Sequence, residues 1–460
     1  MAAEMHNVDI DIVEMSLDVI KFAINRITET GVPLRFPKKA EELQELVGET
    51  ITPKGIGGEK AFQLFRDVLL KSSVSIDHPR HLAFVPAAPT RAAIMFDLVT
   101  SASSIHGAYW MEGAGGIFAE NQAMAWLVSL TGMPEGSFGV FTSGGTSANL
   151  SAIVTARETW RDRSPGNSRT RGIIITSEGA HSSVKAMARV IDADLVVVPT
   201  EEKFLGSELE DALAGLTPAD RSRLFAVIAT AGTTNAGIID DLAGIAEICK
   251  RENLWFHVDA AYGGGALTAP SVRPLFNGIE RADSVTIDPH KWLFSPYDCG
   301  AVIYRDPELA KKALSQGGDY LDIFRGETNG FNPSDYQIQL TRRLRGLPLW
   351  FSLATHGTDR YTQAVERGIE LAQIAGRLIT ATEHVELVRE PSLSCVLFRR
   401  IGWAPDDYWE WTYRNHKAGF ALVAPTKSRA AGRDETITRF CFISPDTTEK
   451  DIADILDSMK

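Results

Sequence analysis

The sequence predicts an α/β fold, a mostly parallel sheet flanked by helices, and three observations predict it. Short apolar runs recur at Ile173 to Thr176, Leu195 to Val198, Leu224 to Ala229, Leu254 to Val258 and Ser284 to Ile287, each with the length of a buried strand. Helical patterns separate them, and strand-helix-strand alternation marks parallel pairing, because a parallel crossover needs a helix's worth of chain. Loops rich in glycine, serine and threonine follow several of the runs. Ligands gather at such strand ends in parallel α/β sheets.

The 460 residues are enough to bury a large core and to divide into two or three domains. Residues 1–86 read as an N-terminal helical segment for dimerisation. Within it Ile10, Val13, Leu17, Ile20, Ile24 and Ile27 recur at steps of three and four. They form one apolar seam that must pack on another helix, of this chain or of a second subunit. Thr52-Pro53-Lys54-Gly55-Ile56-Gly57-Gly58 is a turn that breaks this region. Residues 87–348 hold the strand runs and read as a large cofactor-binding domain. Leu242, Ile245, Ala246 and Cys249 mark a helix face between two strands, with Asp240 or Asp241 as its cap. Residues 349–460 read as a small C-terminal α+β domain, with strands at Ser394 to Phe398 and Ile437 to Phe442. Its closing helix is marked by Ile452, Ile455, Leu456 and Met459.

Composition sets further bounds. A hydrophobic share of 44% and a charged share of 23% are ordinary for a soluble globular protein. The net charge of −12 argues against nucleic acid or an anionic membrane as partner, since the summed field repels both. Asp9, Asp11, Glu14 and Asp18 interrupt any apolar run near the N-terminus, which therefore does not read as a targeting signal. No stretch nears the roughly 18 consecutive apolar residues of a membrane span. Cys249, Cys299, Cys395 and Cys441 lack metal-ligand spacing and are expected to be buried thiols in a reducing, cytoplasmic compartment, with no metal site. The aromatics Trp403, Tyr408, Trp409, Trp411 and Tyr413 read as core or interface, and Arg342, Arg343 and Arg345 as braces of an interface.

The chemistry concentrates where strands end. Asp288-Pro289-His290-Lys291-Trp292 follows one run, and His257-Val258-Asp259-Ala260-Ala261 closes another. Taken alone, Lys291 reads as a solvated surface charge. A lysine preceded by a strand-end aspartate is also the pair that pyridoxal phosphate requires. The amine holds the cofactor aldehyde as a Schiff base, and the carboxylate keeps the pyridine nitrogen protonated so that the ring accepts electrons. Thr142-Ser143-Gly144-Gly145-Thr146-Ser147-Ala148-Asn149 leads into a helix. That start reads either as a plain turn or as a phosphate site, where glycines admit the anion and helix-end amides bind it. The Gly-Lys-Ser/Thr ending of a nucleotide loop is missing. Ser177-Glu178-Gly179-Ala180-His181-Ser182-Ser183 offers a histidine to lie on a cofactor ring, or an incidental one in a loop where Ser182 or Ser183 caps the next helix. Ala229 to Gly237 suits close approach of a flat ligand, or a tight turn.

Together and in this order, these stretches resemble the pyridoxal-dependent (group II) amino acid decarboxylases, the aromatic amino acid and glutamate decarboxylase group. The "HVDAAYGG" and "DPHKW" stretches carry the resemblance, which runs from about His78 to Gly357 and more loosely to both ends. It implies a fold-type I enzyme that binds pyridoxal 5'-phosphate, acts on an amino acid as its small-molecule substrate and works as a homodimer with active sites at the subunit interface. It also implies that Lys291 binds the cofactor, Asp259 pairs with its ring nitrogen and His181 stacks on its ring. Gly145, Thr146, His290 and Asp288 or its neighbours would contact the phosphate, and Thr234 and Ala261 would line the ring. Several relatives carry asparagine where this chain has Asp288. A Gly-rich stretch from Gln316 to Ser334 resembles a lid, whose Tyr320 would protonate the substrate carbon, where phenylalanine favours oxidation. Phe84, Val85 and Pro86 would wall the substrate side chain, with His106 and Ala108 approaching from the neighbouring subunit. The expected reaction is decarboxylation of an aromatic L-amino acid to its amine. The alternatives are a decarboxylating oxidase or aldehyde synthase on the same scaffold, a decarboxylase of an acidic or basic amino acid, or a catalytically silent cofactor-binding protein.

Overall fold

Seven strands make the larger sheet of the computed structural model, which describes residues 6, 10–163, 170–316, 330–428 and 435–460. They are β1 (Phe138–Thr142), β2 (Ile173–Ser177), β3 (Asp194–Val198), β4 (Leu224–Thr230), β5 (Trp255–Asp259), β6 (Ser284–Ile287) and β7 (Gly300–Tyr304). Their order is β1-β7-β6-β5-β4-β2-β3. The pairs β2/β3, β2/β4, β4/β5 and β5/β6 are parallel, whereas β7 runs against both of its neighbours. Every residue of β2, β4, β5, β6 and β7 is buried, as expected for a sheet covered on both faces.

Side-chain alternation divides the sheet between two core layers. From β4, Val227 and Ala229 enter one layer, and Ala226 and Ile228 the other. The second layer is closed by the Gly145–Arg163 helix, whose Ala148, Ala152 and Ala156 let it lie close to the strands. The five strand runs expected from the sequence appear within a residue or so of their predicted limits. Two others, β1 and β7, were not among the expected runs; Gly139 interrupts β1, whereas Gly300 only opens β7, whose remaining four residues are apolar. A Cβ at Gly139 would strike the Val302 carbonyl, and one at Gly300 would strike the Gly144 backbone. In β1 the same close approach that requires glycine hides the strand.

The Leu242–Glu252 helix is capped by Asp241, whose Oδ1 accepts the Gly244 amide at 3.1 Å. Asp240 accepts the amides of Thr230 and Phe204 instead, and burial pushes its carboxyl up to about 6. A second sheet, ordered β10-β11-β9-β8, is formed by β8 (Val385–Leu387), β9 (Cys395–Arg400), β10 (Pro425–Ser428) and β11 (Glu435–Cys441). The Thr358–Thr380 and Glu449–Asp457 helices pack on it through Leu371, Ala375, Ile452 and Leu456. Tyr408 and Trp411 are buried against Trp403, while Trp409 and Tyr413 are exposed. Arg342, Arg343 and Arg345 pair with Glu120, Asp97 and Asp298 within the chain. The N-terminal seam lies on the Ile10–Thr28 helix, none of whose residues is buried; Ile10 is 69% and Leu17 61% exposed. Among the described residues no helix is long and apolar enough to cross a membrane.

Candidate active site

The carboxyl ends of β1, β2, β4, β5 and β6 open on one edge of the larger sheet, and the loops that follow them enclose a cavity of about 340 Å³. That volume falls in the roughly 300–1,000 Å³ range of small-molecule sites. Gly145, Thr146, His181, Thr234, Asp259, Ala261, Asp288, His290 and Lys291 all line it. The structure thus gathers in one place every cofactor-contacting residue expected from the sequence.

Lys291 extends from the turn after β6, and its Nζ lies 3.0 Å from Asp288 Oδ2. Burial pulls the Lys291 ammonium down, but Asp288 and Asp259 outweigh it and leave the group above the usual lysine range. His290 Nδ1 accepts the Cys299 amide at 3.1 Å, so in the neutral ring the proton sits on Nε2. Burial pulls this imidazole below its ordinary value, with Lys291 acting in the same sense and Asp288 against it. The Asp288 amide donates to the Ala261 carbonyl, which ties the lysine loop to the loop after β5.

Asp259 ends β5 and is almost fully buried. Its Oδ2 accepts Asn149 Nδ2 at 2.9 Å, and its Oδ1 accepts the Ala261 amide at 3.1 Å. The Gly145–Arg163 helix starts on the opposite wall, where its first N–H groups have no partner within the helix. A Cβ at Gly145 would lie 2.9 Å from Asp288 Oδ2, so glycine keeps that wall open. His181 is the N-cap of the Ser182–Val190 helix, its Nδ1 accepting the Ser183 amide at 3.2 Å. The cap is therefore the histidine itself, and neither Ser182 nor Ser183 takes that position.

The residues expected to meet the substrate stand apart from this cavity within one chain. Phe84, Val85, Pro86, His106 and Ala108 do not line this cavity. Phe84 is 65% exposed with φ at 58°, and its carbonyl accepts both Nη groups of Arg439. Arg439 also donates to the Thr234 carbonyl at 2.7 Å, joining Phe84 to the cavity lip. Ala108 is fully buried beside Tyr109 and Leu340, and His106 Nδ1 pairs with Glu112 Oε2 at 2.5 Å. Tyr320 lies outside the described residues.

Sequence reading assigned no role to Asn149, Ser147, Thr230 or Arg439, although the first three stood in quoted loops. Alternation along β5 was the available signal, because residues two apart share a face and Asp259 therefore shares one with His257.

Pyridoxal phosphate fits this lining. Ser147 Oγ, Thr230 Oγ1 and Asp288 Oδ1 are buried without a hydrogen-bond partner, which a buried polar atom tolerates only at a cost. Free helix-end amides and the His290 Nε2–H suit a phosphate, Lys291 an aldehyde, and Asp259 a protonated ring nitrogen.

Comparison with known proteins agrees. A family model described as the pyridoxal-dependent decarboxylase conserved domain matches residues 41–401. The aromatic-L-amino-acid decarboxylase of Bacillus atrophaeus is 30% identical over 435 residues, covering 91% of this chain and 88% of that one. The L-2,4-diaminobutyrate decarboxylase of Acinetobacter baumannii is 31% identical over 390 residues, 80% of this chain and 76% of that one. In fold, the chain matches the crystal structure of Oryza sativa TDC with PLP and tryptamine at a TM-score of 0.88 and 24% identity, over 98% of this chain and 97% of that one.

Proposed function

The chain belongs to the pyridoxal-dependent decarboxylase family, a carboxy-lyase acting on an amino acid with pyridoxal phosphate, and from that premise we propose an aromatic L-amino acid as its substrate and the corresponding amine as product. The observation that carries the site assignment is Lys291 standing between Asp288 and Asp259 in one cavity with the helix start. When bound, the cofactor supplies an electron sink for the pair left behind as the α-carboxylate departs as carbon dioxide.

The chain's own residues divide the remaining work. The start of the Gly145–Arg163 helix, with Thr146 and His290, holds the phosphate by amide donors and the helix dipole. Lys291 Nζ would hold the cofactor's aldehyde carbon, the position at which the substrate amine would be received. Asp259, fixed by Asn149 and Ala261, would accept a hydrogen bond from the protonated ring nitrogen and so keep the proton there. His181, Ala261 and Thr234 line the cavity and would pack about the ring. Tyr320 is assigned from the sequence as the donor that returns a proton to the substrate Cα.

Phe84, Val85 and Pro86 are proposed to wall the substrate side chain from the rim, with His106 and Ala108 arriving from a second copy. The exposed seam of the Ile10–Thr28 helix supports a homodimer, and four free buried cysteines fit a reducing, cytoplasmic setting. The division into residues 1–86, 87–348 and 349–460 belongs to the same proposal. A second reading has a basic amino acid as substrate; the His106–Glu112 pair and the diaminobutyrate relative favour it.

Incubation with a panel of L-amino acids, with carbon dioxide, amine, ammonia and peroxide measured, tests these readings. Amine from phenylalanine, tyrosine or tryptophan supports the first. Amine from 2,4-diaminobutyrate alone would replace it with the second, and ammonia with peroxide would move the reaction to aldehyde synthesis.

A further inference from the structure

Behind Asp259 lies a row of buried polar side chains. Trp255, His257 and Asp259 alternate along β5 and so share one face of the sheet. That face meets Asn149 from the Gly145–Arg163 helix, and the β5/β6 register sets Ser284 opposite His257. Asn149, His257 and Ser284 are buried to within 1% of full exclusion from solvent. The contacts are continuous: Asp259 Oδ2 to Asn149 Nδ2 2.9 Å, Asn149 Oδ1 to His257 Nε2 3.0 Å, His257 Nδ1 to Ser284 Oγ 2.8 Å, Ser284 Oγ to Trp255 Nε1 2.8 Å.

Chemistry fixes the direction of every link. A carboxylate facing a donor only accepts, so the Asn149 amide nitrogen must point at Asp259 and its oxygen at His257. His257 Nε2 must then carry the ring proton, leaving Nδ1 to accept the Ser284 hydroxyl. The indole N–H of Trp255, a donor only, completes the order by donating to Ser284 Oγ. All four hydrogen bonds run the same way and end on Asp259. Aligned bonds of this kind polarise one another in a low-dielectric interior. Burial pulls the His257 imidazole below its ordinary value, against the opposing attraction of Asp259, which agrees with a neutral ring.

We propose that Asn149, His257 and Ser284 form a positioning relay that holds Asp259 as a hydrogen-bond acceptor aimed at the cofactor's ring nitrogen. His257 and Ser284 stand behind the cavity wall and Asn149 forms part of it, and each acts on Asp259 through the row of hydrogen bonds. The inference rests on the assignment of Asp259 made above. The charged groups facing the relay from the cavity are Asp259 itself and Lys291, with Asp288 paired to the lysine.

The test compares Asn149→Leu, His257→Phe, His257→Gln and Ser284→Ala in the cofactor-loaded enzyme. Three readouts are followed: the visible absorbance of the bound cofactor against pH, kcat and KM taken separately, and the Tm of the protein stripped of cofactor. The relay requires Asn149→Leu and His257→Phe to lower kcat by roughly tenfold to a hundredfold, the usual effect of losing a residue that orients a functional group. KM should stay within about twofold, since ground-state binding is untouched. The absorbance–pH profile should shift in both variants. His257→Gln, which restores an N–H toward Asn149, should recover most of both properties. A lowered Tm with wild-type kcat and an unshifted profile would overturn the relay and leave the row a packing feature. Should His257→Phe fail to fold, Ser284→Ala decides alone: a shifted profile supports the relay and an unshifted one refutes it. Asp259→Ala keeps the two claims apart. If it is fully active, the assignment of Asp259 fails; if it is inactive while the relay variants match wild type, only the relay fails.

Discussion

The floor of the cavity and its rim are built by different means. The floor is made of strand ends: Asp259 closes β5, Lys291 follows β6, and both neighbours are parallel strands buried along their whole length. Its key carboxylate is held by two donors of the same chain. The rim, around residues 78–110, is tied down by distant contacts. Leu82 bonds Leu422, Phe84 bonds Arg439, and Gly107 bonds Arg342. Phe84 projects outward, 65% exposed. The floor is complete in one chain, as electrostatic work demands, because dipoles fixed before the reaction need not reorganise during it. On the reading proposed above, the rim is completed by a second copy, and substrate choice is the property that such a surface can vary at small cost to the fold.

If that contrast is sound, the largest effects belong to the floor. Asp259→Ala should lower kcat by on the order of 10³-fold, comparable to losing one preorganised charge-stabilising group, while the protein still retains cofactor through Lys291 and the helix start. Single-turnover carbon dioxide release with cofactor content measured in parallel checks this. Activity equal to wild type would remove Asp259 from the chemistry.

Next comes Gly145→Ala. The new Cβ would lie 2.9 Å from Asp288 Oδ2 and 3.1 Å from Ala261 Cβ, two neighbours with little freedom to move. Overpacking of about 1–3 kcal/mol should appear as a roughly tenfold to hundredfold weaker hold on the cofactor, read by equilibrium dialysis. Tm of the cofactor-free protein reports the same strain independently.

Asp288→Asn should act more mildly and in the opposite direction. Asp288 and Asp259 together raise the Lys291 pKa against the lowering by burial. Cofactor capture needs the free amine, so the rate of reconstitution should rise with pH as Lys291 loses its proton. Removing the Asp288 charge lowers the lysine pKa, and the whole rise should move to lower pH. At a fixed neutral pH the variant should therefore load faster than the parent enzyme. Stopped-flow absorbance of cofactor binding across pH measures it; an unmoved profile would mean that Asp288 does not set the lysine's state.

How much of this was legible in the sequence follows the same division. β2, β4, β5 and β6 were readable because unbroken apolar runs are what a doubly covered strand requires. Lys291, Asp259, His181 and Gly145 were readable because each sits in a short local motif at a strand end. The strand β1 was hidden by Gly139, which is there for backbone approach rather than for strand character, while β7 was passed over although Ala301 to Tyr304 is apolar throughout. Arg439 was hidden for another reason. It reaches Phe84, Thr234 and Asn235 across sequence separations of 355, 205 and 204 residues, and no local pattern announces such a bond. His181 as its own helix cap was missed because serine is the commoner cap, whereas here the imidazole Nδ1 takes the Ser183 amide.

The smallest effect, and the sharpest test of the contrast, is expected at the rim. Phe84 occupies the left-handed region at φ 58°, which for a bulky residue costs roughly 1–2 kcal/mol. Its backbone is held there by Arg439 on the carbonyl, whereas its ring is largely exposed. Backbone and side chain are thus doing separate things, and Phe84→Gly separates them. Glycine adopts that conformation without strain, though it adds backbone freedom to the unfolded chain. Tm should therefore stay level or rise slightly. If the ring meets the substrate side chain, KM for the aromatic amino acid should rise by about fivefold with kcat little changed, the pattern of lost uniform binding. A fall in Tm of several degrees, or an unaltered KM, would make Phe84 part of the scaffold and erase the distinction between rim and floor. At Gly145, by contrast, any added atom should harm cofactor binding and stability together.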